Sequence, residues 1–215
     1  MARTASPERS TNAARAAGES ATANATPADT LRQQTADLHE QVEDRVRVSE
    51  RLGSLQQYAE LLQFFRRTLE PVESWLNGHP VTRTIPGPRA DCVALLRQDL
   101  TALRAAGAGV APDPAVTAFA PPGGGDATVL GVLYVVEGSM LGGLFIAKAA
   151  GRSLGLTESS GAAFFGRGRV DGMDGWRRFK SHLNDRLCTA GDVDAAVAAA
   201  RGTFDHFLKQ AEGLS

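Results

Sequence analysis

The sequence predicts an all-α fold, a single irregular bundle of about six or more helices, and two observations lead there. Almost every apolar pattern repeats at three-and-four spacing, the period of one face of a helix. No stretch alternates apolar and polar residues at period two for long enough to form a strand. The 215 residues suit one domain with a substantial core plus a tail.

Residues 1–28 are rich in Ala, Ser, Thr and Arg and nearly devoid of large apolar side chains, so they read as a disordered tail, with the domain spanning 29–215. The tail lacks an apolar core segment and carries Glu8 and Glu19, which argues against a secretory signal or a transit peptide. The first helix opens at a Thr30/Gln33 capping box and carries the stripe Leu31, Thr35, Leu38, Val42 and Val46. Gly53 and Ser54 break the chain. A second helix then carries Tyr58, Leu61, Leu62, Phe65, Leu69, Val72 and Leu76, with Pro71 as a kink point. Asn77 to Pro80 and Pro86 to Pro88 mark a loop. A third helix starts near Arg89 and ends by Gly107, and the longest connection follows, with Pro112, Pro114, Pro121, Pro122 and Gly123 to Gly125. Asp126 caps a long apolar helix that runs to about Leu154. Gly155 to Met173 is glycine-rich and irregular, and helices over about Asp174–Leu187 and Asp192–Ala211 close the domain.

The net charge of −1 argues against a nucleic-acid groove or a polybasic membrane contact. Cys92 and Cys188 are far apart and in no metal-ligand spacing, so they read as reduced thiols of a cytoplasmic protein. The apolar run Val129 to Ile146 is long enough to raise the question of a membrane span, but Glu137 at its centre points to a buried core helix.

The chemistry-bearing candidates sit on two helices. His39 borders the apolar stripe of the first, with Thr35, Val42 and Val46 at i−4, i+3 and i+7. A neutral imidazole there suits heme iron, and Glu43 one turn on can orient the ring. Alone, such a histidine is more often a helix residue making one hydrogen bond. If His39 holds the iron, Arg32, two turns earlier, points toward the edge of the macrocycle, where propionates need cations; alone it is an ordinary first-turn residue. The segment Glu137-Gly138-Ser139-Met140-Leu141-Gly142-Gly143 is the sharpest feature, because each helical glycine costs about 1 kcal/mol relative to alanine. Its glycines admit either a flat ligand or a neighbouring helix against bare backbone. Arg177, Arg178, Lys180 and Arg186 form a basic face whose ordinary reading is solvation. His79, His182 and His206 build no metal-ligand spacing, and there is no HExxH, ExxH or CxxC.

Taken together these residues resemble the biliverdin-producing heme oxygenases, most closely the bacterial branch associated with phytochromes, from about Leu31 to the C-terminus. Leu31-Arg32-x-x-Thr35-x-x-Leu38-His39-x-x-x-Glu43 is similar to the family's proximal helix, and Tyr134 to Gly143 to its distal helix. Phe179-Lys180 and Phe204-Asp205-His206-Phe207 are similar to its last two helices. The resemblance implies His39 as iron ligand, and Arg32, Thr35, Glu43, Tyr134, Gly138, Gly142, Lys180 and Phe204 as heme-binding positions. It places Gly138, Ser139, Gly142 and Gly143 with His39 in the catalytic set. Heme would be substrate and cofactor together, consumed with dioxygen to give biliverdin, carbon monoxide and ferrous iron. Electrons would come from an external donor of ferredoxin or flavodoxin type, and a bacteriophytochrome would accept the product. Two departures stand out. Ser139 occupies the place of a distal aspartate that organises water, and Asn184 stands where some members carry a second propionate-binding arginine. With serine there, a non-catalytic heme carrier or sensor on the same fold is the alternative reading.

Overall fold

The computed structural model describes residues 25–86, 91–112 and 118–214. The expected tail up to residue 24, the expected helix start at Arg89 and Pro114 lie outside the described residues. Among the described residues there are seven α-helices and no strand. They are α1 (Pro27–Val46), α2 (Leu55–Asn77), α3 (Cys92–Ala105), α4 (Gly125–Leu154), α5 (Ala163–Gly166), α6 (Gly172–Arg186) and α7 (Ala190–Ala211), with short 3₁₀ turns at Val48–Leu52 and Pro80–Arg83.

Helix α1 begins one turn earlier than its expected Thr30/Gln33 cap. Thr26 and Asp29 form the capping box, with the Asp29 amide donating to Thr26 Oγ1 at 3.2 Å, and Pro27 occupies the first helical position, where its missing N–H costs nothing. Ser54 caps α2, Asp91 caps α3, and a Thr189/Asp192 box caps α7. Pro71 lies inside α2 without ending it.

Helix α7 is the plate on which the site is built, because both α1 and α4 pack along it. The crossing with α4 is close: a Cβ added at Gly131 would lie 2.1 Å from the Ala196 carbonyl oxygen, so only glycine fits. Ala196, Ala199 and Ala200 on α7 are fully buried on that side. Helix α1 is fastened by Arg201, whose guanidinium forks onto the Asp37 carboxylate at 2.8 and 3.0 Å and also donates to the Gln34 carbonyl. That bond is the main cause holding the Asp37 carboxyl below its usual range. Helices α1 and α4 are thereby set side by side on a common floor with a cleft between them.

By length and apolar composition α4 could cross a membrane, but half of its most apolar window is buried within the bundle. Val129, Val132, Leu133 and Met140 are in the core, as a central helix of a bundle requires.

Candidate functional site

The cleft is a cavity of about 610 Å³, within the range of small-molecule and cofactor sites. Helix α1 contributes Arg32, Thr35, His39, Glu43 and Val46; α4 contributes Tyr134, Gly138, Ser139, Leu141, Gly142 and Ile146; and Phe204 and Phe207 of α7 form the floor. Phe164, Phe165 and Arg167 close one side. The walls are mostly apolar, with polar groups at a few points.

On the α1 side His39 is more than half exposed, open to the cavity it lines. Its Nδ1 lies 3.7 Å from Glu43 Oε2, too long for a direct hydrogen bond but near enough to bias the ring, which turns Nε2 away from Glu43. Phe204 packs edge-on to the imidazole, with ring centroids 5.8 Å apart, and so limits its rotation. The other described histidines with assigned roles are structural. His206 Nε2 contacts the Thr68 carbonyl at 3.0 Å in the core, and burial lowers its pKa, while His79 Nδ1 contacts the Trp75 carbonyl at 2.7 Å. Among the described residues no group of three or more His, Cys, Asp or Glu could hold a metal ion.

On the α4 side the glycines divide by role. At Gly142 an added Cβ would meet nothing within 4 Å, so bare backbone faces the cavity. At Gly138 it would sit 3.5 Å from the Trp176 ring, an ordinary contact. Gly143, expected beside the ligand, is packed away from it. It is buried, and a Cβ there would lie 2.9 Å from the Phe165 carbonyl oxygen, so its glycine serves close helix packing. The Ser139 hydroxyl donates to the Val136 carbonyl at 2.7 Å and accepts from Arg167 Nη2 at 3.0 Å. Its proton is therefore directed to its own helix in this arrangement.

Arg32 lines the cavity, and Lys180 stands near it: Asp29, held low chiefly by its Thr26 hydrogen bonds, is lowered further by both cations. Lys180 lies 5.8 Å from the Trp176 ring centroid. Its neighbours on the basic face are ordinary surface pairs, Arg177 with Asp174, Arg178 with Asp171 and Arg186 with Asp126. Tyr134 reaches Thr35, whose hydroxyl donates to the Leu31 carbonyl at 2.7 Å; burial pushes the Tyr134 phenol up. Asn184 Oδ1 accepts from the Ala28 amide at 2.9 Å, so in this chain that position ties the start of α1 to α6.

Two residues that shape the cleft escaped sequence reasoning. Arg167 lies in the segment read as irregular, and no periodicity marked it. Asp99, on the third helix, belongs to no motif, yet it is fully buried and accepts the Ala163 and Phe164 amides at 2.9 and 2.8 Å. It thus caps α5 from outside the segment and sets the wall that carries Phe164, Phe165 and Arg167.

Behind α4 lies a second cavity of about 220 Å³, lined by Glu73, Asp91, Cys92, Glu137 and Arg167 among others. Burial, with a hydrogen bond that the protonated Glu73 carboxyl donates to the Asp91 carboxylate, pushes Glu73 up to about 7, and burial pushes Asp99 up to about 6. A carboxyl whose pKa rises on folding takes up a proton as the chain folds, so its ionisation opposes folding. Stability is expected to fall as pH climbs from about 4.5, the ordinary Glu73 value, through about 7. His206, lowered by burial, works in the opposite sense and is outweighed by two carboxyls with large shifts. Below that window the gain reverses, because Asp29, Asp37, Asp91, Asp171 and Asp192 are all held low by hydrogen bonds. Thermal melts should therefore give a higher Tm near pH 5 than near pH 8, and Glu73→Gln should flatten the upper part of that slope. Equal slopes in the two proteins would remove Glu73 as its source.

The geometry agrees with relatives of known family. The sequence model of the heme oxygenase family matches residues 25–212. A heme oxygenase of Xanthomonas campestris pv. campestris (strain 8004) is 35% identical over 152 residues, 70% of this chain and 86% of that protein. The NO- and CO-bound heme oxygenase from Neisseria meningitidis superposes with a TM-score of 0.67 at 24% identity, over 87% of this chain and 90% of that one. Heme oxygenase from Leptospira interrogans gives a TM-score of 0.65 at 18% identity, over 88% and 100% of the two chains. The two structural likenesses bear on the fold, and the family match over nearly the whole domain carries the assignment: the chain belongs to the heme oxygenase family, oxidoreductases whose standard activity converts heme to biliverdin.

Proposed function

We propose that the cleft between α1 and α4 is where this chain binds and cleaves heme, with His39 as the iron ligand. The observation that carries this reading is the pairing of one cavity-facing imidazole on α1 with bare backbone at Gly142 on α4, across a cavity of about 610 Å³. The residues present fit the group. An apolar floor of Phe204 and Phe207 suits the macrocycle, and Arg32 on the cleft lining, with Lys180 outside the lining but acting on the same Asp29, supplies cations for carboxylates. Bound heme supplies both the iron that activates dioxygen and the ring that is opened.

The chain's own residues do the rest. Glu43 and Phe204 orient the imidazole, and outer contacts of this kind set a ligand's basicity and angle. Gly138 and Gly142 let the α4 backbone approach the ring plane. Val46, Ile146, Phe164 and Phe165 keep bulk water out of the cleft. Electrons come from an external donor of the ferredoxin or flavodoxin type, and biliverdin passes to an acceptor such as a bacteriophytochrome. Aerobic incubation of the hemin complex with ferredoxin or ascorbate tests the reading: a biliverdin spectrum supports it. A complex that only autoxidises favours the carrier or sensor, the reading to which the committed Ser139 proton lends support.

The rim cations carry a separate expectation. A partly exposed ion pair is worth only about 1 kcal/mol, enough to rotate heme in its slot but small beside burial of the macrocycle. Lys180→Ala, and to a lesser degree Arg32→Ala, should therefore shift the ratio of biliverdin isomers more than they lower hemin affinity. An unchanged isomer ratio in both variants would leave cavity shape as the determinant.

A further inference from the structure

We propose that Arg167, on the segment after α5, is the hydrogen-bond donor on the distal side of the heme pocket, in the role that Ser139 cannot fill. The inference rests on the heme reading above and names the residue that contacts a ligand bound to the iron opposite His39.

Elimination among the polar groups of the cleft leads to it. Ser139 gives its proton to the Val136 carbonyl at 2.7 Å. Thr35 gives its proton to the Leu31 carbonyl at 2.7 Å, and Tyr134 turns to Thr35. Trp176 presents its benzo edge to Gly138, with Cη2 nearest, so its indole N–H lies on the opposite side of the ring system. Arg32, His39, Glu40 and Glu43 belong to α1, the proximal wall. Arg167 remains. It lines the cleft, and its Nη2 donates to Ser139 Oγ at 3.0 Å, which brings the guanidinium to the turn of α4 that holds Gly138 and Gly142.

The guanidinium is held in place. Nη1 donates to the Phe164 carbonyl at 2.8 Å, and the Phe164 ring lies 4.1 Å beneath its carbon. Glu137 and Cys92 approach it from the second cavity, which Arg167 also lines. Burial is the largest influence on its pKa and draws it down, while Glu137 and Cys92 oppose that. A guanidinium has five N–H donors in a rigid fork, so two bonds to the protein leave others for a ligand. Ser139 then acts as a positioning residue, accepting the bond that aims the fork. Asp99 acts one step further out, by capping the helix on which the arginine hangs.

The test uses the full chain loaded with hemin, with fluoride on the ferric complex and carbon monoxide on the ferrous complex as probes. Both report hydrogen bonding to the iron-bound ligand without turnover. Arg167→Leu should weaken fluoride binding about ten- to a hundredfold, the worth of one charge-assisted hydrogen bond, and raise the C–O stretching frequency. Arg167→Lys, which keeps a cation, should fall between. Ser139→Ala should move both readouts in the same direction but less far. Arg169→Leu, at a surface arginine paired with Glu158, should leave both unchanged. Circular dichroism checks that each variant is folded, and the lysine variant answers the question if the leucine variant is not. A folded, hemin-loaded Arg167→Leu or Arg167→Lys protein with native fluoride affinity and C–O frequency overturns the inference alone. A native protein that forms no hemin complex overturns the heme reading and the inference with it.

Discussion

His39→Ala is expected to lose the histidine-ligated heme spectrum and nearly all turnover. The loss should exceed the roughly 10- to 100-fold that follows removal of an outer hydrogen-bond partner of a metal ligand, because here the ligand itself goes. His206 and His79 are engaged with the Thr68 and Trp75 carbonyls, away from the cleft lining. Hemin should still bind, since burial of the macrocycle against Phe204, Phe207 and the α4 backbone does not depend on the imidazole. The truncation leaves room where the ring was, so added imidazole should restore part of both the spectrum and the rate. A Soret band and ligand-field spectrum unchanged from the native protein would move the ligand elsewhere.

The second large effect separates two kinds of glycine on one helix. Gly142→Leu should leave the helical signal and the melting temperature close to native, because nothing lies within 4 Å of the added Cβ. The leucine side chain would instead occupy the cleft, and hemin titration should show binding lost or greatly weakened. Gly131→Ala should do the reverse. Its methyl would lie 2.1 Å from the Ala196 carbonyl oxygen, so α4 and α7 must part. Overpacking of this kind costs roughly 3 kcal/mol, on the order of 10 °C in Tm for a chain of this size. Hemin affinity in the protein that remains folded should fall much less. Circular dichroism and hemin titration on the same samples decide. A Gly142→Leu protein that melts early while binding hemin normally would make Gly142 a packing residue and undo the proposed orientation of heme against α4.

The contrast shows where sequence reasoning reached its limit. Periodicity located the helices because a helix repeats its burial every turn, and that signal is local in the chain. Boundaries slipped by a turn where two caps competed, as with Thr30 and Thr26, because both offer a hydroxyl with a carboxylate or amide three residues on. Glycines at Gly138, Gly142 and Gly143 announced that something approaches α4, but spacing could not say what. Gly143 turned out to face the Phe165 carbonyl, and the most constrained glycine, Gly131, lay outside the motif altogether. The basic face of α6 was equally opaque, since acidic partners such as Asp126 come from distant segments.

By itself the sequence determined the all-α class, the order of the helices, His39 as the candidate ligand at the edge of an apolar stripe, and a glycine-bearing helix opposite it. Each follows from residue type and helical period, which are properties of short stretches of chain. Only the tertiary structure decided which glycines face the cleft, that the Ser139 hydroxyl bonds to its own helix, and that Arg167 lines the cleft on a wall that Asp99 caps. Asp99 and Ala163 are 64 positions apart, and Arg167 and Ser139 are 28. No periodicity links residues at such separations. They meet only because α4 and α1 dock on α7 and the Gly155 to Met173 segment is folded back against them, so their roles are written in packing.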